Sequence, residues 1–345
     1  MLVDDSLIVR SVLERIVGSN ADMAVCASVA SAADALAWLA QGGADVIILD
    51  IEMPGMTGLA ALPRILAESA QARVLILSSN CEAGGPAAVE ALALGASDTL
   101  AKPGRGSFAG RFSAVLLARV RVLAAAPSPQ RAADPKDIRS ARSAAAALSL
   151  PHPAACIAVA ASTGGIPAFA QFLNHLDRAV AAPILLTQHL PEAFMGYYAQ
   201  QIATASKREV HVASAGMRLA PRVVYLAPGH AHLSLARVGQ HVEIILDPQP
   251  VANGCCPSAD PMFAAVAAVF GPAAVGVLLS GMGRDGADGA ALLRRAGGTI
   301  LAQAPETCVV WGMPGAVANN GVANAVVNPD TMGLVISRSA AQRGR

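Results

Sequence analysis

The chain alternates between short aliphatic runs and longer alanine-rich stretches in which apolar residues recur at helical spacing. In the first third, the aliphatic runs predict five strands: Leu2-Val3, Ala24 to Ala30, Val46 to Leu49, Val74 to Leu77 and Thr99 to Ala101. The stretches between and after them predict five helices: Ser6 to Gly18, Ala32 to Gln41, Leu59 to Ser69, Pro86 to Gly95 and Ser107 to Leu123. Strands that alternate with helices form parallel sheets covered on both faces. The pattern therefore predicts a doubly wound α/β domain.

The same alternation returns later in the chain. Buried strands are predicted at Cys156 to Ala161, Pro183 to His189 and Ala274 to Ser280, with helices over Pro167 to Asp177 and from about Ala290. The stretch in between is rich in Ala, Pro, Ser and Arg without an apolar period, which indicates a linker with one helical turn around Ala141 to Leu148. We therefore expect an α/β protein of two doubly wound parallel-sheet domains, at residues 1–123 and 154–340, joined by a linker at 124–153.

Composition narrows the class of protein. Hydrophobic residues make up 54% of the chain and aromatic residues only 3%, so the cores are aliphatic. A net charge of +1 supplies no basic stripe for nucleic acid, and no apolar run is long enough for membrane insertion. Acidic residues follow Met1 at once, which argues against a secretory signal. The six cysteines lack Cys-x-x-Cys spacing, so we expect a reducing, cytoplasmic location.

Polar residues stand at the carboxyl ends of the first five strands: Asp4, Asp5, Asp50, Ser78 and Lys102. In an open parallel sheet these ends meet at one crevice. Clustered carboxylates repel unless a cation lies among them, and oxygen ligands favour Mg²⁺. A carboxylate beside Mg²⁺ can accept a phosphoryl group. Helix capping explains any single Asp as well, but the ordered set favours a phosphoryl-transfer site.

These strand ends resemble those of response-regulator receiver domains. The matching stretches are Val3-Asp4-Asp5-Ser6, Leu49 to Gly58, Leu77-Ser78-Ser79 and Ala101-Lys102-Pro103. The resemblance implies a flavodoxin-like fold and phosphorylation of Asp50 by a histidine kinase. It also implies that Asp5, Asp50 and the backbone carbonyl of Glu52 hold Mg²⁺, with Asp4 as a further candidate ligand, and that Ser78 and Lys102 contact the phosphoryl group.

Two features depart from the receiver pattern. The first strand before Asp4 is short, which raises the question of a clipped strand or a late start. Thr99 stands where receivers usually carry an aromatic switch residue. These departures concern how the receiver would respond to phosphorylation. The prediction that Asp50 is phosphorylated does not depend on them.

In the second domain, a hydroxyl, an imidazole and a carboxylate each follow a separate predicted strand. Ser162 ends an apolar run and precedes Thr163 and two glycines, His189 ends the second strand, and Asp285 lies in a Gly-rich loop after the third. Such a set performs acyl transfer. Asp288 competes with Asp285, which we prefer because it lies nearer the strand end. Each residue also has a simpler explanation as a structural histidine or a turn.

Several motifs in this half resemble the chemotaxis receptor methylesterases. They are Ala161 to Gly165, Gln188 to Pro191, Ala227-Pro228-Gly229, Pro257 to Asp260, Ser280 to Gly286 and Gly312-Met313-Pro314. The resemblance implies hydrolysis of glutamyl methyl esters on the cytoplasmic helices of methyl-accepting chemoreceptors, with release of methanol, and deamidation of receptor glutamines. The expected partners are these receptors and a chemotaxis histidine kinase.

Carried over by position, Ser162 is the nucleophile, His189 the general base and Asp285 the residue that orients the histidine. Met282 offers its backbone N–H to the oxyanion and Thr163 lines the site. No cofactor is expected in this site. The receiver is expected to act as a gate that phosphorylation opens.

Other readings stay open at this point. The second domain could be a phosphorylation-switched binding module without activity, although the intact Ser, His and Asp set argues against it, or an esterase for a small diffusible ester. His230 and His232 are a weak candidate metal pair because no third ligand is near in sequence. The adjacent Cys255 and Cys256 are assigned no chemistry.

Overall fold

The computed structural model describes residues 1–69, 71–78, 85–103, 110–125 and 148–341. The chain divides into two compact units, Met1–Arg131 and Ala132–Arg345. Most of the predicted linker, including nearly all of the predicted helical turn at Ala141 to Leu148, lies outside the described residues. The boundaries at 123 and 154 therefore stay predictions.

The first unit contains a five-stranded sheet in the order β2-β1-β3-β4-β5, and all of its paired strands are parallel. The strands are β1 (Leu2–Val3), β2 (Ser28–Val29), β3 (Val46–Asp50), β4 (Arg73–Ser78) and β5 (Asp98–Ala101). The helices are α1 (Leu7–Gly18), α2 (Ala32–Leu39), α3 (Gly58–Glu68), α4 (Gly85–Ala93) and α5 (Arg111–Ala124). This strand order is the flavodoxin-like one, which agrees with the predicted fold class.

Strand β2 is much shorter than the predicted Ala24 to Ala30. It pairs only with β1, and β1 offers just Leu2 and Val3 as partners, so the ladder stops after two residues. The preceding residues alternate between exposed and partly buried positions, as expected for chain at a sheet edge. Hydrophobicity alone could not show how little backbone is available beside them.

Polar caps fix where three helices of this unit begin. The side chains of Ser6, Ser31 and Thr57 accept hydrogen bonds from backbone amides three residues ahead, at 3.4, 3.1 and 3.2 Å. Such caps satisfy amides that have no partner within the helix. The caps at Ser6 and Thr57 follow the strand ends that carry Asp4 and Asp50, so they help to set the shape of those loops.

The second unit contains a seven-stranded parallel sheet in the order β14-β13-β12-β6-β7-β9-β8 and an antiparallel hairpin of β10 and β11. The strands are β6 (Cys156–Ala161), β7 (Ile184–Gln188), β8 (Val210–Val212), β9 (Val224–Leu226), β10 (His232–Val238), β11 (His241–Asp247), β12 (Ala274–Leu278), β13 (Thr299–Gln303) and β14 (Ala325–Val327). The helices are α6 (Gly165–His175), α7 (Glu192–Ser206), α8 (Ala259–Phe270), α9 (Ala287–Arg295), α10 (Met313–Asn319) and α11 (Pro329–Ala341).

Strand β6 lies at the centre of this sheet, with β7 on one side and β12 on the other. All three strands are buried along their whole length, which explains their largely aliphatic sequences. Helix α8 packs against both β6 and the hairpin through Met262, Phe263 and Val266, which are fully buried. Among the described helices, none combines the length and apolar character needed to cross a membrane.

Candidate active site

The register of three neighbouring strands brings the predicted catalytic residues to one edge of the sheet. Ala161 of β6 is paired with Gln188 of β7, so Ser162 and His189 are the next residues on adjacent strands. Backbone pairing continues past the strand ends: His189 N–H donates to the Ala161 carbonyl and Ser162 N–H donates to the Ser280 carbonyl, both at 3.0 Å. Ser162 therefore lies between the histidine and the Gly-rich loop that follows β12.

A tight turn presents Ser162 at the start of α6. Gly164 has a φ of +76°, a left-handed conformation that glycine adopts without steric cost. A Cβ at this position would also lie 2.5 Å from the side chain of Val309. The Ser162 carbonyl is held by the Gly165 amide at 2.8 Å and by the Gln188 side chain at 2.9 Å. The serine backbone is thus fixed, while its side chain is partly exposed.

Gly281 makes room beside the serine. A Cβ added to Gly281 would lie 2.9 Å from the Ser162 Cβ and would overlap the sulfur of Met313. Real Cβ atoms do not approach other atoms this closely, so a side chain here would displace the serine or Met313. The absence of a side chain at Gly281 is therefore a requirement of the site.

Buried Asp285 and partly buried His189 form a hydrogen-bonded pair. The Nε2 atom of His189 lies 2.7 Å from Oδ2 of Asp285, and the two side chains are 18% and 2% exposed. Burial alone would raise the pKa of Asp285, but hydrogen bonds from His189, Ser258 and the Ala259 amide outweigh it and lower the pKa to about 2. The carboxylate is therefore ionised at neutral pH.

Three further groups hold this carboxylate in place. Oδ1 accepts from the Ser258 hydroxyl at 2.5 Å and from the Asn253 side chain at 2.6 Å, while Oδ2 accepts from the Ala259 amide at 2.8 Å. Ala259 is the first residue of α8, so the positive end of that helix faces the negative charge. With the histidine, these contacts use both oxygens of Asp285.

The sequence did not assign roles to Ser258 and Asn253. The stretch Ser258-Ala259-Asp260 before an apolar run is a typical helix N-cap, and Ser258 does cap α8. What the sequence could not show is that this helix begins against a carboxylate from another part of the chain. Asn253 lies in an exposed loop and carries no such signal.

The competing carboxylate, Asp288, lies outside the site. Its side chain is 81% exposed and forms an ion pair with Arg284 at 3.3 Å. The choice of Asp285 over Asp288 therefore agrees with the contacts of both residues.

The remaining residues of the predicted site surround Ser162. Thr163 is buried, and its carbonyl accepts a hydrogen bond from the Ser280 hydroxyl at 2.7 Å. Met282 is exposed and follows Gly281 in the loop. Within the described residues, the Ser162 hydroxyl forms no hydrogen bond with His189. The two side chains lie at adjacent register positions, and catalytic hydrogen bonds are often long before substrate binds.

In the first unit, the structure gathers the carboxylates predicted at the strand ends. Oxygen atoms of Asp4, Asp5 and Asp50 lie within 4.8 Å of one another, and the two buried members pair with Lys102. Lys102 Nζ lies 2.8 Å from Asp4 and 2.7 Å from Asp50. A single ammonium among three carboxylates leaves surplus negative charge.

Burial and the neighbouring charges together shift the pKa values in this cluster. Burial raises the pKa of Asp50, and the neighbouring Asp4 carboxylate adds to the rise although Lys102 opposes it. Burial would lower the pKa of Lys102, but its hydrogen bonds to the two carboxylates raise it overall. An all-oxygen donor set with excess negative charge fits Mg²⁺, which prefers carboxylate and water oxygens.

Ser78 and Glu52 flank this cluster. Ser78 is buried at the end of β4, and its carbonyl accepts from the Lys102 amide at 2.6 Å. Glu52 is exposed, and its amide donates to Oδ1 of Asp50 at 3.4 Å. Ser79 lies outside the described residues. Thr99 is part of β5, and its carbonyl accepts a hydrogen bond from Arg119.

The rings of His230 and His232 have separate partners. His230 pairs with Glu192 at 2.7 Å on the surface. His232 is buried, with one ring nitrogen 2.9 Å from the Gln249 carbonyl and the other accepting from the Ser258 amide at 2.8 Å. His232 therefore supports the loop that carries Ser258.

Two family models match the chain. Residues 157–336 match the CheB methylesterase family. Residues 1–107 match the response regulator receiver domain. The two matches fall on the two α/β units, and that agreement bears out the resemblances seen in the sequence.

Similar proteins cover nearly the whole chain. A protein-glutamate methylesterase/protein-glutamine glutaminase 2 of Caulobacter vibrioides is 41% identical over 346 residues, which span 99% of this chain and 98% of that protein. A protein of Maricaulis maris named for the same two activities is 34% identical over 380 residues, 99% of this chain and 95% of that protein. Among solved structures, this chain is similar to the Thermotoga maritima CheB methylesterase catalytic domain, with 31% sequence identity and a TM-score of 0.51. The match covers 55% of this chain and 98% of the Thermotoga chain.

Proposed function

This chain belongs to the CheB methylesterase family with an attached receiver domain, and from this premise we infer that it hydrolyses glutamyl methyl esters on chemoreceptors. The enzyme is a protein-glutamate methylesterase with protein-glutamine glutaminase activity, regulated by phosphorylation and acting in chemotaxis. Relatives that span almost all of the chain are named for both activities. The substrates are methylated glutamyl side chains on the cytoplasmic helices of methyl-accepting receptors, so we place the enzyme in the cytoplasm.

One observation carries the assignment of residues: an ionised, fully hydrogen-bonded Asp285 holds His189 beside the strand end that bears Ser162. Because the ionised Asp285 carboxylate can only accept a hydrogen bond from Nε2, that nitrogen carries the ring proton. The other ring nitrogen, Nδ1, is then unprotonated, and we assign it the role of base for the Ser162 hydroxyl. A carboxylate that fixes the tautomer in this way is what nucleophilic serine catalysis requires.

The reaction proceeds in two steps. Ser162 Oγ attacks the ester carbonyl while His189 takes the hydroxyl proton, and the tetrahedral intermediate collapses as His189 returns that proton to the departing methoxide. Methanol leaves and an acyl-serine remains. Water then attacks with His189 again as base, which releases the free glutamate and restores the serine. For a glutamine side chain, ammonia leaves in place of methanol.

The turns around Ser162 supply the groups that stabilise the oxyanion. We assign this role to the backbone N–H of Met282, with Thr163 lining the same side. Ser162 stands just before α6 and Gly281 lies against it, which supports placing backbone donors from both turns near the reacting carbonyl. Hydrogen-bond donors that are already positioned where negative charge develops stabilise the transition state strongly in such reactions.

The receiver supplies the regulation. We propose that a chemotaxis histidine kinase donates a phosphoryl group to Asp50 and that Asp5, Asp50 and the Glu52 carbonyl hold Mg²⁺, with Asp4 close by. When bound, Mg²⁺ neutralises charge on the transferring phosphoryl oxygens. Lys102, now paired with Asp4 and Asp50, would contact the phosphoryl group, and Ser78 would donate to it.

The assignment of the nucleophile is tested by labelling with an organophosphonate. We expect one equivalent of label per chain, located on Ser162 by peptide mass spectrometry. Ser162→Ala should abolish labelling, whereas Ser214→Ala, a change of an exposed loop serine, should leave it unchanged. A folded protein that takes no label, or takes it elsewhere, would contradict the assignment and favour a binding module without activity.

A further inference from the structure

A cysteine lies beside the catalytic pair. Ligand atoms of His189, Cys255 and Asp285 all lie within 4.8 Å of one another. Cys255 comes from the loop between β11 and α8, and its side chain is half-buried. The mechanism above uses the histidine and the carboxylate but has no role for this thiol.

The cysteine is tied to the site through Asn253. The Cys255 amide donates to Asn253 Oδ1 at 2.9 Å, and Nδ2 of the same side chain donates to Asp285 at 2.6 Å and to Asp260 at 3.1 Å. The thiol-bearing loop is therefore connected to the carboxylate by a continuous set of hydrogen bonds. The two carboxylates also give the surroundings a negative charge.

Sulfur, imidazole nitrogen and carboxylate oxygen form a typical donor set for Zn²⁺. Bonds of about 2.0 to 2.3 Å place tetrahedral ligand atoms roughly 3.3 to 3.7 Å apart. The three ligand atoms lie within 4.8 Å of one another, and Nε2 and Oδ2, now 2.7 Å apart, would separate slightly by side-chain rotation as the sulfur approaches. We propose that His189, Cys255 and Asp285 bind Zn²⁺, with an open fourth position for water, and that this binding inhibits the esterase.

The inhibition follows from what the metal would occupy. Zn²⁺ shared with Asp285 would bind Nε2 of His189, in place of the hydrogen bond between the two side chains. The single ring proton then moves to Nδ1, so the nitrogen that accepts the serine proton is blocked. The thiol of Cys255 releases its proton to solvent as the thiolate binds. The inhibition rests on the proposed esterase function, whereas the binding does not.

The same chain offers a contrasting site in its receiver unit. The cluster of Asp4, Asp5 and Asp50 contains only oxygen donors and suits Mg²⁺, while thiolate and imidazole favour Zn²⁺ over Mg²⁺. A thiolate ligand also has a spectroscopic signature with Co²⁺, a common substitute for Zn²⁺. The two sites can therefore be told apart in the intact protein.

Binding is tested by titrating the full chain with Co²⁺ in excess Mg²⁺. We expect a thiolate-to-cobalt absorption band in the near ultraviolet and tetrahedral bands in the visible, both removed by Zn²⁺. Cys255→Ser should lose the thiolate band, and the adjacent, exposed Cys256 provides the matched control Cys256→Ser, which should keep it. A band that persists in Cys255→Ser, or its absence from the unaltered protein, would overturn the site.

Inhibition is tested by methanol release at increasing Zn²⁺. The unaltered protein and Cys256→Ser should be inhibited and recover with a chelator, and Cys255→Ser should need at least about tenfold more Zn²⁺ because it lacks one ligand. Organophosphonate labelling of Cys255→Ser in metal-free buffer shows that its site is folded. Full activity with Zn²⁺ bound would overturn the inhibition. A cobalt band in a protein that releases no methanol under any condition would instead contradict the proposed function and leave the metal site standing.

Discussion

The Asp285 carboxylate depends on donors from two other parts of the chain. One is the histidine that it orients, and the other is the start of α8, where the Ser258 hydroxyl and the Ala259 amide both donate to it. Each of these donors favours the charged form, and together they overcome the effect of burial on its pKa. The aspartate is therefore fixed in both charge and position, so changes at this residue should affect catalysis and stability separately.

We predict that Asp285→Asn lowers kcat for methanol release by about 10³- to 10⁴-fold, because an amide cannot hold His189 in the required tautomer. Steady-state kinetics on methylated receptor membranes measure the change. The control is Asp288→Asn, an exposed carboxylate three residues further on, in the first turn of α9, which should retain full activity. Equal losses in both variants would mean that the loop as a whole, rather than the Asp285–His189 pair, is what matters.

The lowered pKa of Asp285 also predicts a dependence of stability on pH. A pKa that falls from 3.8 in the unfolded chain to about 2 in the folded one stabilises the fold by about 2 kcal/mol at neutral pH. The contribution is present above the unfolded pKa and declines as pH falls through the folded pKa, with about half lost near pH 3.

Denaturant unfolding of the unaltered protein and Asp285→Asn, compared at neutral pH and at about pH 3, checks this value. The difference in unfolding free energy between the two proteins should narrow by about 1 kcal/mol at the lower pH. A difference that is the same at both pH values would show that the carboxylate is not selectively stabilised in its charged form.

At the scale of elements, the site depends on three strands ending side by side and on turns with no room for side chains. We predict that Gly281→Ala lowers esterase activity at least about tenfold and destabilises the fold by about 1 to 3 kcal/mol, because the added methyl would press on Ser162 and Met313. Activity assays and thermal unfolding measure both effects.

Gly196 provides the matched control. It lies inside α7, and a Cβ there would meet nothing within 4 Å. Gly196→Ala should preserve activity and stabilise the helix by up to about 1 kcal/mol. If Gly281→Ala were as harmless as Gly196→Ala, the conclusion that the loop packs closely against Ser162 would be wrong.

The sequence predicts these elements well where one physical signal dominates. Strands β6, β7 and β12 are buried on both faces, so their aliphatic runs mark them, and the polar residue that ends each run marks the sheet edge. The rest depends on long-range pairing that no local pattern records. The position of β12 directly beside β6, the short ladder of β2 and the contact of Ser258 with Asp285 belong to that class.

At the scale of the whole molecule, a phosphoryl-accepting unit and an esterase unit share one chain. We predict that Asp50→Asn removes the stimulation of methanol release by a small-molecule phosphodonor, because the nucleophilic carboxylate is gone, so the ratio of rates with and without the donor falls to one. The measured quantity is that ratio, with Asp34→Asn as the control, since Asp34 pairs with Ser31 at the exposed start of α2. A ratio above one in Asp50→Asn would place the regulatory phosphorylation elsewhere.

The most direct test of the account is the rate of methanol release from membranes that carry methylated chemoreceptors, measured with a phosphodonor for the unaltered protein and Ser162→Ala. We predict steady release by the unaltered protein and a loss of at least about 10³-fold in the variant, which should still contain the hydrogen-bonded His189 and Asp285. Methanol release by Ser162→Ala at a rate comparable to that of the unaltered protein would contradict the claim that Ser162, His189 and Asp285 form the esterase site.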